Sequence, residues 1–229
     1  LYDYFNKETK ADLSATDNAF PETSVHETAI GYYPSAPAGA YEAAYQQAGN
    51  LLHVHNAADE AYTRAYNDLK AANEALSPNT PEAGAFYTLR NASATSGDCT
   101  DALAYAETES ACRMRYDKSL TSADDRTLWQ FTDNGDGTFL MKNLHTGMYS
   151  TSGMPFHTEA TGQNVTFKPV GDGQLVIKVN GNSMYALSGY GNVRTDNNSD
   201  AKNTNAAWLV EKADDMESVF QRVTLTDYQ

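Results

Sequence analysis

No stretch of this chain approaches the roughly 18 apolar residues that cross a bilayer, and no charged, apolar, small-residue leader opens it. No membrane span is predicted. Basic residues are scarce, 16 against 30 acids, and the net charge of -14 repels phosphate instead of releasing counterions from it, so nucleic acid is excluded as a partner. There are two cysteines, Cys99 and Cys112, hence at most one bridge. A disulfide there would close a short loop and add about 3 kcal/mol by the loop-entropy model in an oxidising compartment; two buried thiols are the alternative. The chain lacks a Gly-x-Ser-x-Gly elbow, a Cys-His signature and a phosphate-binding Gly-x-x-x-x-Gly-Lys. Nothing selects one carboxylate pair among 30 acids, so no enzyme and no cofactor are expected. An initiator methionine is also missing: the chain opens at Leu1 and reads as an excised piece of a larger protein whose targeting signal has been removed.

Apolar residues are plentiful, 41% with 15 Tyr and 8 Phe, enough for packed cores. Composition changes at Ser77-Pro78-Asn79-Thr80-Pro81, a run of turn formers that marks a boundary between a helical module over 1-80 and a β-domain over 85-213, with 214-229 as a tail toward a further domain. In the first part, Ala58, Tyr62, Ala65, Leu69, Ala72 and Leu76 recur at helical spacing and predict a helix over about 57-77, capped by Asn56 or Asp59 and stopped by Pro78. Tyr41, Ala44, Tyr45, Ala48 and Leu52 predict a second over about 38-52. The two form an antiparallel hairpin, for which residues 1 to 20 can supply a third element.

An internal repeat organises the second part. Phe131-Thr-Asp-Asn-Gly-Asp-Gly-Thr-Phe139 recurs as Phe167-Lys-Pro-Val-Gly-Asp-Gly-Gln-Leu175, and at the same spacing Met148-Tyr149 falls on Met184-Tyr185. An earlier copy begins at Tyr87-Thr-Leu89-Arg90-Asn91, matching Phe139-Leu-Met141-Lys142-Asn143. Each copy ends on an apolar strand: Trp129-Gln-Phe131, Val165-Thr-Phe167 and Trp208-Leu-Val210. Gly-Asp-Gly turns join successive copies as hairpins. Three copies, over about 86-131, 139-167 and 175-210, each able to bury one face only, must share a core about a pseudo-three-fold axis. The predicted fold class is therefore mainly β with an α-helical N-terminal part: a β-trefoil of three repeats plus a helical hairpin or three-helix bundle.

Ser96-Gly97-Asp98-Cys99-Thr100-Asp101 in copy one resembles the Gly-x-Cys-Leu-Asp stretch of the ricin-type trefoil lectins, and Gln163-Asn-Val165 is similar to half of their closing Gln-x-Trp motif. The Gly-Tyr-Tyr-Pro entry at 31-34 with its Ala-x-x-Ala helices resembles the small helical modules of secreted bacterial carbohydrate-active enzymes. The resemblance implies a sugar pocket with Asp101 as its carboxylate, which Tyr149-Ser-Thr151 and Tyr185-Ala-Leu187 lack in the other copies. It also implies an extracellular, cell-surface or periplasmic location.

A sugar site needs an aromatic ring for the pyranose face and fixed polar groups for its hydroxyls. Tyr190, Asn192 and Asp196 in copy three are the candidates, followed by Asp101 with Tyr105, and Gln163; the alternative reading of the copy-three residues is a turn-rich solvated loop, since Gly, Asn and Asp also suit left-handed backbone. Trp129 and Trp208 fall with the apolar strand ends and are read as core. His53-Val-His55 has no accompanying acids or cysteines for zinc, and Asp133-Asn-Gly-Asp136 lacks the alternating ligands and closing Glu of a calcium loop, so no metal is expected. The expected function is a non-catalytic accessory module that binds a glycan or glycoconjugate and targets an attached enzyme, with neighbouring domains of the same polypeptide as its other partners. The rivals are a structural spacer with degenerate sugar sites, and a trefoil protease inhibitor acting through the Cys99-Cys112 insertion with Arg113 and Arg115.

Overall fold

A computed structural model describes residues 1, 4, 29-93, 97-108, 113-154, 156-196 and 204-213. The chain divides into two compact units, Leu1–Thr80 with Pro169–Gly173, and Pro81–Lys168 with Gln174–Gln229.

In the first unit, α1 (Ser35–Leu52) and α2 (Asp59–Ala75) pack together. Helix α1 starts earlier than its apolar spacing suggests. Pro37 falls in the first turn, where its missing N–H has no intrahelical acceptor to lose. Ala38, Ala44 and Ala48 are buried with Tyr41, and these short side chains let the partner come close. Helix α2 contributes Leu69 and Asn73, followed by Leu76 at its end. The expected caps are corrected: Ala58 occupies the N-cap with no side-chain hydrogen bond. Asn56 is drawn off into the left-handed region (φ 64°) by the turn between the helices, and Asp59 is already inside the first turn. Tyr4 packs on this pair, edge-on to Tyr66 at 5.2 Å, and its hydroxyl accepts from the buried Asn73 amide at 3.0 Å. The rest of 2-28 lies outside the described residues.

The second unit is a β-trefoil. Copy one comprises β1 (Phe86–Asn91), β2 (Leu103–Ala106), β3 (Met114–Asp117) and β4 (Trp129–Asp133). Copy two comprises β5 (Phe139–Asn143), β6 (Tyr149–Thr151), β7 (His157–Glu159) and β8 (Val165–Gly171). Copy three comprises β9 (Gln174–Val179), β10 (Asn182–Leu187), β11 (Asn192–Asp196) and β12 (Ala207–Lys212). Pairings run β1-β12-β9-β8-β5-β4 and back to β1, which closes a barrel and leaves it no edge. Leu89, Met141 and Ile177, one from each copy, are fully buried. The remaining strands form three hairpins, β2-β3, β6-β7 and β10-β11. They converge on Met114, Phe156 and Val193, joined by the Met114 N–H to the Phe156 carbonyl (2.8 Å) and the Phe156 N–H to the Val193 carbonyl (3.1 Å).

The pairings also correct part of the repeat alignment. Arg90 faces Leu103, Lys142 faces Tyr149 and Lys178 faces Ser183, so Tyr149 corresponds to Ser183 and not to Tyr185. Copy three turns from β9 to β10 through Asn180-Gly181 alone, both with positive φ, as a tight primed hairpin requires. Copy two uses the longer Leu144-His145-Thr146-Gly147 turn, closed by the Asn143 N–H on the Met148 carbonyl.

Both tryptophans are fully buried, each indole donating within its own copy: Trp129 Nε1 to the Ala104 carbonyl (3.2 Å) and Trp208 Nε1 to the Met184 carbonyl (2.8 Å). The carboxylates of the β4-β5 turn are used by the turn itself, Asp133 accepting from the Gly135 N–H and Asp136 from the N–H and hydroxyl of Thr138.

Candidate functional site

Hairpin β10-β11 presents two faces. Met184, Ala186, Val193 and Thr195 are buried, and the alternate positions place Tyr185 opposite Arg194, and Leu187 opposite Asn192, on the outward side with Asp196. The Asn192 Oδ1 and Arg194 Nε atoms are buried without a protein partner, which leaves polar capacity at the base of this face for a water or a ligand. Burial raises the Tyr185 phenol above its ordinary range, with the neighbouring Asp196 carboxylate next in effect. At the tip, Ser188-Gly189-Tyr190-Gly191 is a turn with left-handed glycines at 189 and 191, and Tyr190 is 66% exposed. Among the described residues, only Val54 and Met154 are other large hydrophobic side chains left exposed.

This tip is held from another copy. Asp98 Oδ1 accepts from the Ser188 hydroxyl at 2.8 Å, and Oδ2 accepts from the Gly189 N–H and lies 3.0 Å from the Tyr116 hydroxyl. That hydroxyl also lies 3.0 Å from the Leu187 carbonyl and accepts from the Gly191 N–H at 3.3 Å. The Tyr116 N–H in turn donates to the Gly191 carbonyl at 3.3 Å. An otherwise exposed loop is thus pinned on both sides, with the apolar face of Tyr190 turned out. Sequence reasoning missed Asp98 and Tyr116, because 90 residues separate Asp98 from Ser188 and no motif links them.

The Tyr116 phenol is pushed up to about 12, by burial first and by its hydrogen bond to Asp98 next. Its folded value lies above the ordinary 10.0, so its contribution to stability is complete below pH 10 and is lost as pH rises through about 12. Burial raises Tyr33 in the helical unit to about 12 as well. Alkaline difference spectroscopy should therefore show late-titrating tyrosines, with one fewer in Tyr116→Phe.

The other sequence candidates lie elsewhere. Asp101 takes a left-handed backbone (φ 61°), as do Gly147 (64°) and Gly181 (78°), each two residues before the strand position that faces Arg90, Lys142 or Lys178. Its contacts run through its backbone, the N–H to the Asn91 carbonyl at 2.9 Å and the carbonyl from Arg90 at 3.4 Å. It is the carboxylate of Asp98, not that of Asp101, that reaches the copy-three loop. Tyr105 stands opposite Arg115, and the Arg126 guanidinium, fixed by Asp124, covers its ring at 5.6 Å, so that face is closed to a sugar. Gln163 Oε1 accepts from the Ser152 N–H (2.8 Å) and hydroxyl (2.7 Å), which ties down the end of β6. Arg113 bridges to His157 and Arg115 ion-pairs with Glu107 at 3.5 Å; both sit in the hairpin ladder and neither rides a protruding loop. Cys99 is buried, while Cys112 lies outside the described residues. Among the described residues no cluster of His, Cys, Asp and Glu could hold a metal, and no helix is long and apolar enough to cross a membrane.

No protein-family model matches the chain, and no curated protein matches it. Among solved structures, it is similar to a GlcNAcα1-4Gal-releasing endo-β-galactosidase from Clostridium perfringens, at 18% identity and a TM-score of 0.46 over 58% of this chain. The match spans only 34% of that chain. It is also similar to ThreeFoil, a designed three-fold symmetric protein, at 17% identity and a TM-score of 0.44, over 55% of this chain and 97% of that one.

Proposed function

We propose that the chain is a non-catalytic accessory module of a secreted bacterial protein, built on a ricin-type trefoil, that binds a glycan weakly through the tip of β10-β11. The observation that carries this reading is Tyr190, two-thirds exposed on a loop immobilised by Asp98 and Tyr116. A fixed aromatic stacks on a pyranose at little ordering cost, and Asn192, Arg194 and Asp196 on the adjoining face offer an acceptor, a donor and a carboxylate for hydroxyls. A shallow site of this kind is weak alone. Its benefit is effective concentration, since it keeps an attached enzyme near its substrate.

The test is a glycan array with the whole chain, followed by calorimetric titration of the hits. Tyr190→Ala is expected to weaken binding by about 2- to 10-fold, the range of a single stacking contact. No binding at millimolar sugar would sink the glycan reading in favour of a spacer with degenerate sites, a role that the internal engagement of Tyr105 and Gln163 also fits.

A further inference from the structure

We infer that the seam between copies one and two holds a second site, for a carboxylate-bearing sugar, centred on Lys142. Consecutive cross-strand pairs align Phe86, Gln130, Lys142 and Tyr149 in one row across β1, β4, β5 and β6. A cavity of about 110 Å³ opens along this row, lined by Phe86, Gln130, Lys142, Asn143, Leu144 and Gly147. The Lys142 ammonium lies 5.4 Å from the Tyr149 ring centroid and makes no ion pair among the described residues, although acids outnumber bases almost two to one in the chain.

The three-fold repeat explains the missing partner. Arg90 holds the position of Lys142 in copy one, and it pairs with Glu211 at 2.9 Å. Leu209 faces Arg90 as Gln130 faces Lys142, and two residues further along the strand Glu211 faces Thr88 as Thr132 faces Leu140. Thr132 therefore stands where the counter-ion would be, and an incoming carboxylate takes the place of Glu211. Glu159, the next acid in the row, is already held by His157 at 2.9 Å.

The other walls select what carries the carboxylate. Gln130 donates its amide to the Gly84 carbonyl at 3.2 Å, which leaves its Oε1 to accept from a hydroxyl. Phe86 and Leu144 supply an apolar wall. The Asn143 amide is spent on the Arg126 and Leu128 carbonyls, so the floor is rigid. At about 30 Å³ per water, the volume takes a carboxylate and the edge of one ring and leaves the rest in solvent. That geometry suits a terminal or branching acidic residue of a glycan. The net charge of -14 opposes approach only over short range, because salt screens beyond about 8 Å. The choice of a sugar as carrier rests on the glycan reading above; the site itself is independent of Tyr190.

The experiment is a titration of the whole chain, read by NMR, with glucuronic acid and N-acetylneuraminic acid, and with glucose and acetate as comparison probes. One acidic sugar is expected to bind, with glucose at least about tenfold weaker, the factor that one charge-assisted contact supplies, and with acetate weaker as well, because it has neither a hydroxyl for Gln130 nor a ring for the Phe86 and Leu144 wall. Lys142→Gln should remove that binding, Thr132→Glu should remove it by providing an internal partner while thermal stability holds or rises, and Tyr190→Ala should leave it unchanged. Binding of acetate as tight as that of the acidic sugar, unchanged binding in Lys142→Gln, or no binding of either acid overturns the inference. Failure of Tyr190→Ala to weaken array hits counts against the tip site alone.

Discussion

Replacing Trp208 with alanine is expected to cost about 3-5 kcal/mol of folding stability, the usual range for an aromatic removed from a packed core. The indole is fully buried in β12, and its Nε1 satisfies the Met184 carbonyl at 2.8 Å. Truncation would leave both a void and a buried acceptor without its donor. Trp129 does the same for copy one through the Ala104 carbonyl. Copy two shows what a smaller residue requires: Val165 fills the position, and the Ser150 carbonyl, which corresponds to those of Ala104 and Met184, accepts the Gln163 N–H at 3.3 Å instead. Trp208→Phe, which keeps most of the apolar area and loses the N–H, should fall between alanine and the natural residue. Urea unfolding of the three proteins tests this, and an alanine variant within about 1 kcal/mol of the natural chain would show the indole not to be a core element.

The trefoil was legible because barrel strands repeat in both pattern and spacing. Leu89, Met141 and Ile177 must all face one interior, and Phe131 to Phe139 spans as many residues as Phe167 to Leu175. The alignment then failed after Val179, where one copy makes its turn in two residues and another in four. Length changes of that kind leave the hydrophobic alternation intact, so a constant offset passes over them unseen. The correction matters for the site. It pairs Tyr185 with Tyr105, each opposite an arginine, and leaves Tyr149 alone beside Lys142.

Candidate site residues were legible by type and not by partner. Tyr190, Asn192 and Asp196 lie on one hairpin and were close in sequence from the start. Asp101 was chosen on its resemblance to a lectin carboxylate, yet its left-handed φ shows the backbone demand that glycine meets in the other two copies. A carboxylate motif cannot reveal such a demand. Contacts between copies, such as Asp98 with Ser188, depend on how the hairpins meet at the axis, and neither composition nor period encodes that.

Asp98→Ala is expected to release the tip of β10-β11 and to weaken glycan binding more than its distance from a sugar would suggest. The carboxylate accepts hydrogen bonds from the Ser188 hydroxyl and the Gly189 N–H and faces the Tyr116 hydroxyl, so three donors lose one acceptor together. Bonds to an ionised group contribute about 1.5-3 kcal/mol each, but Asp98 is exposed and water replaces much of that, so a stability loss of about 1-2 kcal/mol is expected. Asp98→Asn should do less harm: its oxygen can still accept from the Gly189 N–H while its amide nitrogen faces the Ser188 hydroxyl, which accepts as well as donates. The discriminating measurement is the split between order and affinity. Amide exchange at Gly189 and Gly191 should speed up in the alanine variant while the barrel amides stay protected, and affinity should fall in proportion, because the loop must then be ordered on binding. Unchanged exchange at those glycines would show that the β10-β11 turn holds itself without copy one.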